Sequence, residues 1–306
     1  LTRVCYHGMM LSPSLTDKPG AIRNVGTHYN PQTTWFEQSK AFNDYLARCS
    51  WMLSRGRFAA DALLYAGDAV GVFVGMKNPA DGIGEGYDYD LCPTEILLGA
   101  TVEDGEIVLR SGMRYKARLL SELNPKARGN LEPGPHPIKA YPPQPHPVGE
   151  AAMRKIRALV EAGATLVGPR PNGPTSMNES SPRYHADADA VWGPRGSGQP
   201  ACRAVGKGRV LRDRAVLRDE LPPDFAVVHA AGAAPAVDWI HRVAVDRDIY
   251  FVSNQGTRPV SFTARFRTAH PSAEVWDPVT CVRRVVSVRW EGVCEVALEG
   301  DVRSFR

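Results

Sequence analysis

Residues 149–167 read GEAAMRKIRALVEAGATLV. Met153, Ile156, Leu159 and Val160 recur at intervals of three and four, which gathers them on one face of an α-helix running from Gly149 to Glu161. Gly163 supplies the stop, and Thr165-Leu166-Val167 has the short apolar, β-branched character of a buried strand. A helix that hands over within a few residues to such a strand is the repeating half of a parallel α/β sheet.

The same alternation extends on both sides. Ala62-Leu63-Leu64-Tyr65 is a strand ending in Gly67-Asp68, and Thr94 to Leu98 suits a short helix. Ile107-Val108-Leu109 is expected to pair with Tyr115 to Leu120 across Ser111-Gly112, and Gly206-Lys207-Gly208 introduces a strand at Arg209-Val210-Leu211. The expectation is a flavodoxin-like α/β domain over residues 57–225. It is interrupted at 124–148, NPKARGNLEPGPHPIKAYPPQPHPV, by an insertion too rich in proline for a helix or a central strand.

From about Val227 the period changes to two. In Val260-Ser261-Phe262-Thr263-Ala264-Arg265-Phe266-Arg267 the even positions are apolar and the odd ones polar, the pattern of a half-buried antiparallel strand. Ile249 to Val252 and Val285 to Trp290 are similar pieces separated by turn residues, which predicts a small β-sandwich over 226–306. At the other end, Leu1-Thr2-Arg3 is neither an initiator methionine nor a signal peptide and runs into Val4-Cys5-Tyr6, a strand already under way. Ser12 to Pro31 has loop composition. Phe42, Tyr45, Leu46, Cys49 and Leu53 then mark an amphipathic helix from Phe36, stopped by Gly56.

A chain of 306 residues has room for two or three ordinary domains. Its formal net charge of +4 comes from basic residues scattered among acidic ones, so no nucleic-acid partner is expected. No window approaches the roughly eighteen continuous apolar residues of a membrane span, so no membrane partner is expected either. The cysteines 5, 49, 92, 202, 281 and 294 form no CxxC pair, which points to neither zinc nor a dense disulfide framework. None of them sits in a Gly-x-Cys-x-Gly elbow, so the α/β domain is read as non-catalytic.

Longer blocks resemble a known family. YHGMMLSP (6–13), GTHYNPQTTWFEQSKAFNDYLARCSWMLSRGRFAADALLYAGD (26–68), GYDYDLCPTEILL (86–98), DGEIVLRSGMRYKARLL (104–120), KIRALVEAGATLVGPRP (155–171) and DWIHR, DIYFVSNQ and EVWDPVT (from 238, 248 and 274) are similar, in this order, to the C-terminal part of family 106 glycoside hydrolases, the α-L-rhamnosidase-like enzymes. Cys281 stands where WDPxTG sequences carry glycine. The resemblance implies a larger bacterial parent, periplasmic or extracellular, built from a (β/α)8 barrel followed by α/β and β-sandwich domains. Residues 1–56 would then be the last strand and helix of that barrel. Its partner would be a rhamnose-containing glycan or polysaccharide. No cofactor is fixed, and calcium in the parent stays open.

Inverting glycoside hydrolysis needs two carboxyl groups roughly 6.5 to 9.5 Å apart, and in a (β/α)8 barrel they come from the ends of different strands. The general acid and base are therefore expected upstream of Leu1, leaving this chain inactive alone. The alternative is a non-catalytic carbohydrate-binding or assembly module. Within the chain the candidate sugar contacts are His7, His28, Tyr29, Asn30, Trp35 and Glu37. Each has a plainer role: His7 as a hydrogen-bonded core residue, His28, Tyr29 and Asn30 as solvated loop residues, Trp35 as packing. For Glu37 the plainer role is a capping box with Thr34.

Three further patterns are read as structural. Gly82-x-Gly84-x-Gly86 lacks the strand-turn-helix setting of a phosphate cradle. Asp88 and Asp90 are too few for calcium, with Asp90 a helix cap. His185, Asp187 and Asp189 suit a solvated helix start better than a metal site.

Overall fold

The computed structural model describes residues 3–6, 16, 29–65, 67–68, 82–120, 147–175, 181–196, 198, 200–230, 235–290 and 294–300. The chain divides into two compact units, Ala59–Ala226 and the combination of Leu1–Phe58 with Val227–Arg306. The segments expected as barrel remnant (1–56) and sandwich (226–306) thus fall in one unit.

After a 3-10 turn at Phe36–Ser39 come helix α1 (Lys40–Leu53) and strand β1 (Arg57–Phe58). The Ala59–Ala226 unit opens with β2 (Ala62–Tyr65), β3 (Tyr89–Cys92), α2 (Thr94–Leu98), β4 (Thr101–Glu103), β5 (Glu106–Val108), β6 (Arg114–Tyr115) and β7 (Ala117–Leu120). It continues with α3 (Glu150–Ala162), β8 (Thr165–Val167), α4 (Pro182–Trp192), β9 (Cys202–Val205), β10 (Gly208–Leu211) and α5 (Arg214–Glu220). Its main sheet has the order β3-β2-β7-β8-β10-β9. All neighbours are parallel except the β9 edge, which runs antiparallel to β10.

Parallel strands covered on both faces must be apolar on both, and β2 is buried at all four positions. Leu63, Tyr65 and Leu166 join a core with α3 residues Met153, Ile156 and Leu159, while Ala62, Leu64, Ala117 and Val167 pack with Leu217 of α5 on the other face. The helix read at Gly149–Glu161 is α3, with Gly149 as its N-cap and Gly163 just past its end. The expected pairing of 107–109 with 115–120 is realised only at its start: Ile107 pairs with Tyr115, and from Ala117 the chain leaves for the parallel sheet. The reason lies in two backbone amides, Lys116 and Ala117, which both donate to the carbonyl of Asp61 and turn the strand.

Gly86 explains the Gly-x-Gly-x-Gly run. Its φ is +82°, and a Cβ there would lie 2.4 Å from the Phe225 carbonyl oxygen, whereas Asp224 and Phe225 donate their amides to the Gly86 carbonyl. The glycine permits a backbone crossing. Asp90 is likewise no cap: it lies in β3, accepts from the Tyr115 hydroxyl at 2.9 Å, and leaves the start of α2 to Pro93.

The other unit adds β11 (Phe225–Ala230), β12 (Val237–Val243), β13 (Asp248–Asn254), β14 (Val260–Phe266), β15 (Ala273–Trp276), β16 (Arg283–Val286), β17 (Val288–Trp290) and β18 (Cys294–Gly300). Its sheets are β1-β12-β13, β11-β14-β18-β17 and the ribbon β15-β16. The alternation in 260–267 is realised, since Phe262, Ala264 and Phe266 are buried. Arg48 of α1 donates to the carbonyls of Pro278 and Val279, both at 2.9 Å, and so holds the turn after β15. In that turn Asp277 accepts from the Val279 amide and the Thr280 hydroxyl, and Cys281 is carried to φ +64°.

A left-handed backbone costs an L-residue about 1–2 kcal/mol, part of which glycine returns as unfolded-state entropy. The Cys281 side chain is exposed and has little packing to lose. Cys281→Gly is therefore expected to stabilise the protein by roughly 0.5 kcal/mol, read as a melting midpoint higher by about 1–2 °C. A fall instead would mean that the thiol makes a contact worth more than the strain.

Candidate functional site

Of the candidate residues, Tyr29, Asn30, Trp35 and Glu37 lie in described backbone, whereas His7 and His28 lie outside the described residues. Tyr29 is the hub. Its hydroxyl donates to Ser39 Oγ at 2.8 Å and accepts from Asn43 Nδ2. Its ring stacks on Tyr6 with centroids 5.2 Å apart, and meets Trp35 at 5.4 Å and Phe36 at 5.6 Å in tilted and edge-on contacts. Such ring pairs are worth about 0.5–1.5 kcal/mol beyond their buried area, enough to fix the loop against the helix start.

Asn30 is buried, and its side-chain oxygen accepts from the Gln32 amide at 3.0 Å while its carbonyl accepts from the Thr33 amide. This is an Asx turn that aims the chain into the helix. Trp35 is 46% exposed, and Phe42 and Trp51 of α1 are 55% and 53% exposed, whereas Cys49 and Leu53 of the same helix are buried. Glu37 is exposed in the first turn. The capping box with Thr34 is not formed: the helix begins as a 3-10 turn whose N-cap is Trp35, with no side-chain cap. The amides of Phe36 and Gln38 donate to the carbonyls of Thr33 and Trp35, so the chain enters the helix through tight 3-10 turns.

A second polar cluster had no signal in the sequence, because strand register assembles it. β12 pairs with β13 so that His241 faces Tyr250. Their rings stack at 4.0 Å, and Tyr250 packs on Phe266 at 4.7 Å. His241 Nε2 lies 3.2 Å from Asp248 Oδ1, and Asp248 Oδ2 accepts from the Thr268 hydroxyl and lies 3.9 Å from His270 Nε2. Burial pushes the Asp248 carboxyl up. The hydrogen bonds from His241 and Thr268, with the charges of His241 and His270, outweigh that and hold it below its ordinary value.

Among the described residues no group of three or more His, Cys, Asp or Glu side chains is placed to hold a metal ion. Asp187 and Asp189 are not a solvated helix start. Asp187 is buried in mid-helix against Arg157 at 2.9 Å, Asp189 pairs with Arg170 at 2.6 Å, and Ser181 caps α4.

Residues 1–131 and 141–290 match the model of glycoside hydrolase family 106, described as alpha-L-rhamnosidase, and the chain belongs to that family. A rhamnosidase from Novosphingobium sp. PP1Y is similar in structure, with a TM-score of 0.72 and 27% identity over 93% of this chain and 26% of that one. A protein of Formosa agariphila, provisionally named a beta-glucuronidase, is 26% identical over 286 residues, 90% of this chain and 21% of that protein. The chain therefore spans about a quarter or less of the length of these relatives.

Glu37→Gln is expected to leave the melting temperature unchanged, since Glu37 caps nothing. For Asp248 the sign is fixed by its lowered value. The stability it contributes is fully present above the unfolded aspartate value of about 3.9 and is lost as pH falls through the folded value. Asp248→Asn should cost roughly 1–2 kcal/mol near neutral pH, and the gap to the native chain in urea midpoint should close below about pH 4.

Proposed function

We propose that this chain is the C-terminal part of a glycoside hydrolase that removes terminal α-L-rhamnosyl units from a glycan, and that the catalytic general acid and base lie in the parent protein upstream of Leu1. The match to the rhamnosidase family across 1–131 and 141–290 carries this reading. The chemistry of the patch agrees with it: Glu37 is the only carboxylate between Tyr29 and Asn43, and inverting hydrolysis needs two that face one sugar. On this reading Tyr29, Trp35 and Phe42 contribute one wall of the sugar site, and residues 1–56 are the end of a (β/α)8 barrel. The order β3-β2-β7-β8-β10 of parallel strands supports a flavodoxin-like second domain, and the antiparallel sheets after Val227 support a sandwich. Periplasmic or extracellular residence of the parent belongs to the same proposal, as expected of an enzyme that meets polysaccharide.

The name of the Formosa agariphila relative favours a second substrate, a β-glucuronide, on the same scaffold. The test is hydrolysis of p-nitrophenyl α-L-rhamnoside and p-nitrophenyl β-D-glucuronide by residues 1–306 alone and by the same chain joined to its genomic upstream sequence. Rhamnoside release by the joined protein only is expected. Release of glucuronide alone would replace the substrate. Release by the isolated chain would overturn the placement of the carboxylates and make Glu37 the first residue to replace. Oligosaccharide binding without turnover in either form would favour a non-catalytic carbohydrate-binding module.

A further inference from the structure

The main parallel sheet contains one residue that its surroundings do not explain. Arg118, on β7, pairs in register with Leu63 of β2 and Leu166 of β8, both core residues, and is itself 2% exposed. Among the described residues none of its three side-chain nitrogens has a hydrogen-bond partner. Its guanidinium lies over the Tyr65 ring, 4.7 Å from the centroid, and forms no ion pair among the described residues. A cation–π contact offsets only a fraction of what a buried guanidinium loses on leaving water, and its N–H donors stay unmet.

Among the described neighbours only Asp68 brings a negative charge, and it forms no ion pair with the guanidinium. Burial pushes the Cys92 thiol up to about 11, and burial raises the Tyr65 phenol as well, so both are neutral at physiological pH. Asp68, which feels the guanidinium electrostatically, has both oxygens engaged, one by the Thr94 hydroxyl and the other by the Gly149 amide at 2.7 Å. Burial lowers Arg118 itself only to about 10, which leaves it protonated at neutral pH.

Topology adds an independent pointer. From β2 the chain moves to one side, to β3, and from β7 it moves to the other, to β8. The carboxyl ends of β2 and β7 therefore flank a topological switch point, the place where open α/β sheets bind ligands. Helix α3, thirteen residues long, starts at Gly149, whose amide donates to the Asp68 carboxylate, so the field of its N-terminus already draws one negative group to this end of the sheet.

We propose that Arg118 is the anchor of a buried site for a small oxyanion, a carboxylate or phosphate group, at the switch point between β2 and β7. The planar guanidinium presents its donors in a fork that matches such a group, and Tyr65 holds the fork flat.

The test is thermal unfolding of residues 1–306 titrated with sodium phosphate or sodium acetate, against sodium chloride at matched ionic strength. The native protein should show a saturable rise of about 5 °C at a hundredfold excess over Kd with one of the two anions, and which anion does so identifies the group. Arg118→Met, which removes the unpaired charge at similar volume, should melt higher than the native chain in anion-free buffer and lose the response. Absence of a saturable response to both anions in the native chain, or an equal response in Arg118→Met, overturns the site. Should Arg118→Met fail to fold, calorimetric titration of the native chain with phosphate and acetate decides, one site supporting the proposal and no heat of binding refuting it.

Discussion

A parallel sheet closed on both faces leaves no room for an unpartnered polar group, and the Ala59–Ala226 unit is arranged around that constraint. Three carboxylates at its margin meet specific donors. Asp61 meets Lys116, Asp90 meets the Tyr115 hydroxyl, and Asp68 joins Thr94 to the start of α3. These bonds also set the geometry, because the Asp61 carbonyl redirects the chain from the β5–β6 ribbon into β7 and the Asp68 carboxylate fixes where α3 begins. Arg118 stands out against this background as the one buried guanidinium among the described residues whose donors all lack partners.

What could be read from the sequence follows the same physics. Where one period dominates, as in α3, β2, β8 and β14, the side-chain pattern alone places the element, since burial on one or both faces is what selects the residues. Where competition between backbone acceptors decides, the pattern is silent. The run 115–120 reads as one apolar strand yet divides at Lys116, and 285–290 divides at Ser287, where the chain leaves the β15-β16 ribbon for the sheet of β18. The start of the first helix also escapes the pattern: Thr34 and Glu37 have capping-box spacing, but the helix begins as a 3-10 turn whose N-cap is Trp35.

The candidate sites divide along the same line. The stretch from Tyr29 to Asn43 is legible because its aromatic and polar residues are adjacent in sequence and meet locally. The cluster of His241, Asp248, Thr268 and His270 is not, since His241 and Asp248 are brought together by the register of β12 on β13 and Thr268 and His270 lie beyond the end of β14. Arg118 was invisible for a third reason. A single arginine in an apolar strand looks like an edge residue until the strand order places it in the middle of the sheet.

The valences of Tyr29 also constrain how the aromatic patch could read a sugar. A phenolic hydroxyl has one proton and two lone pairs. Its proton goes to Ser39 and one lone pair to Asn43, and one face of its ring is taken by Tyr6. A sugar docked here would find little hydrogen-bonding capacity left on Tyr29 and much more apolar surface on Trp35 and Phe42, which are about half exposed. Apolar stacking tolerates many pyranoses, because any of them can present a C–H face. On the proposed function, discrimination of one sugar from another would then come from polar groups outside this patch, as would the two catalytic carboxylates.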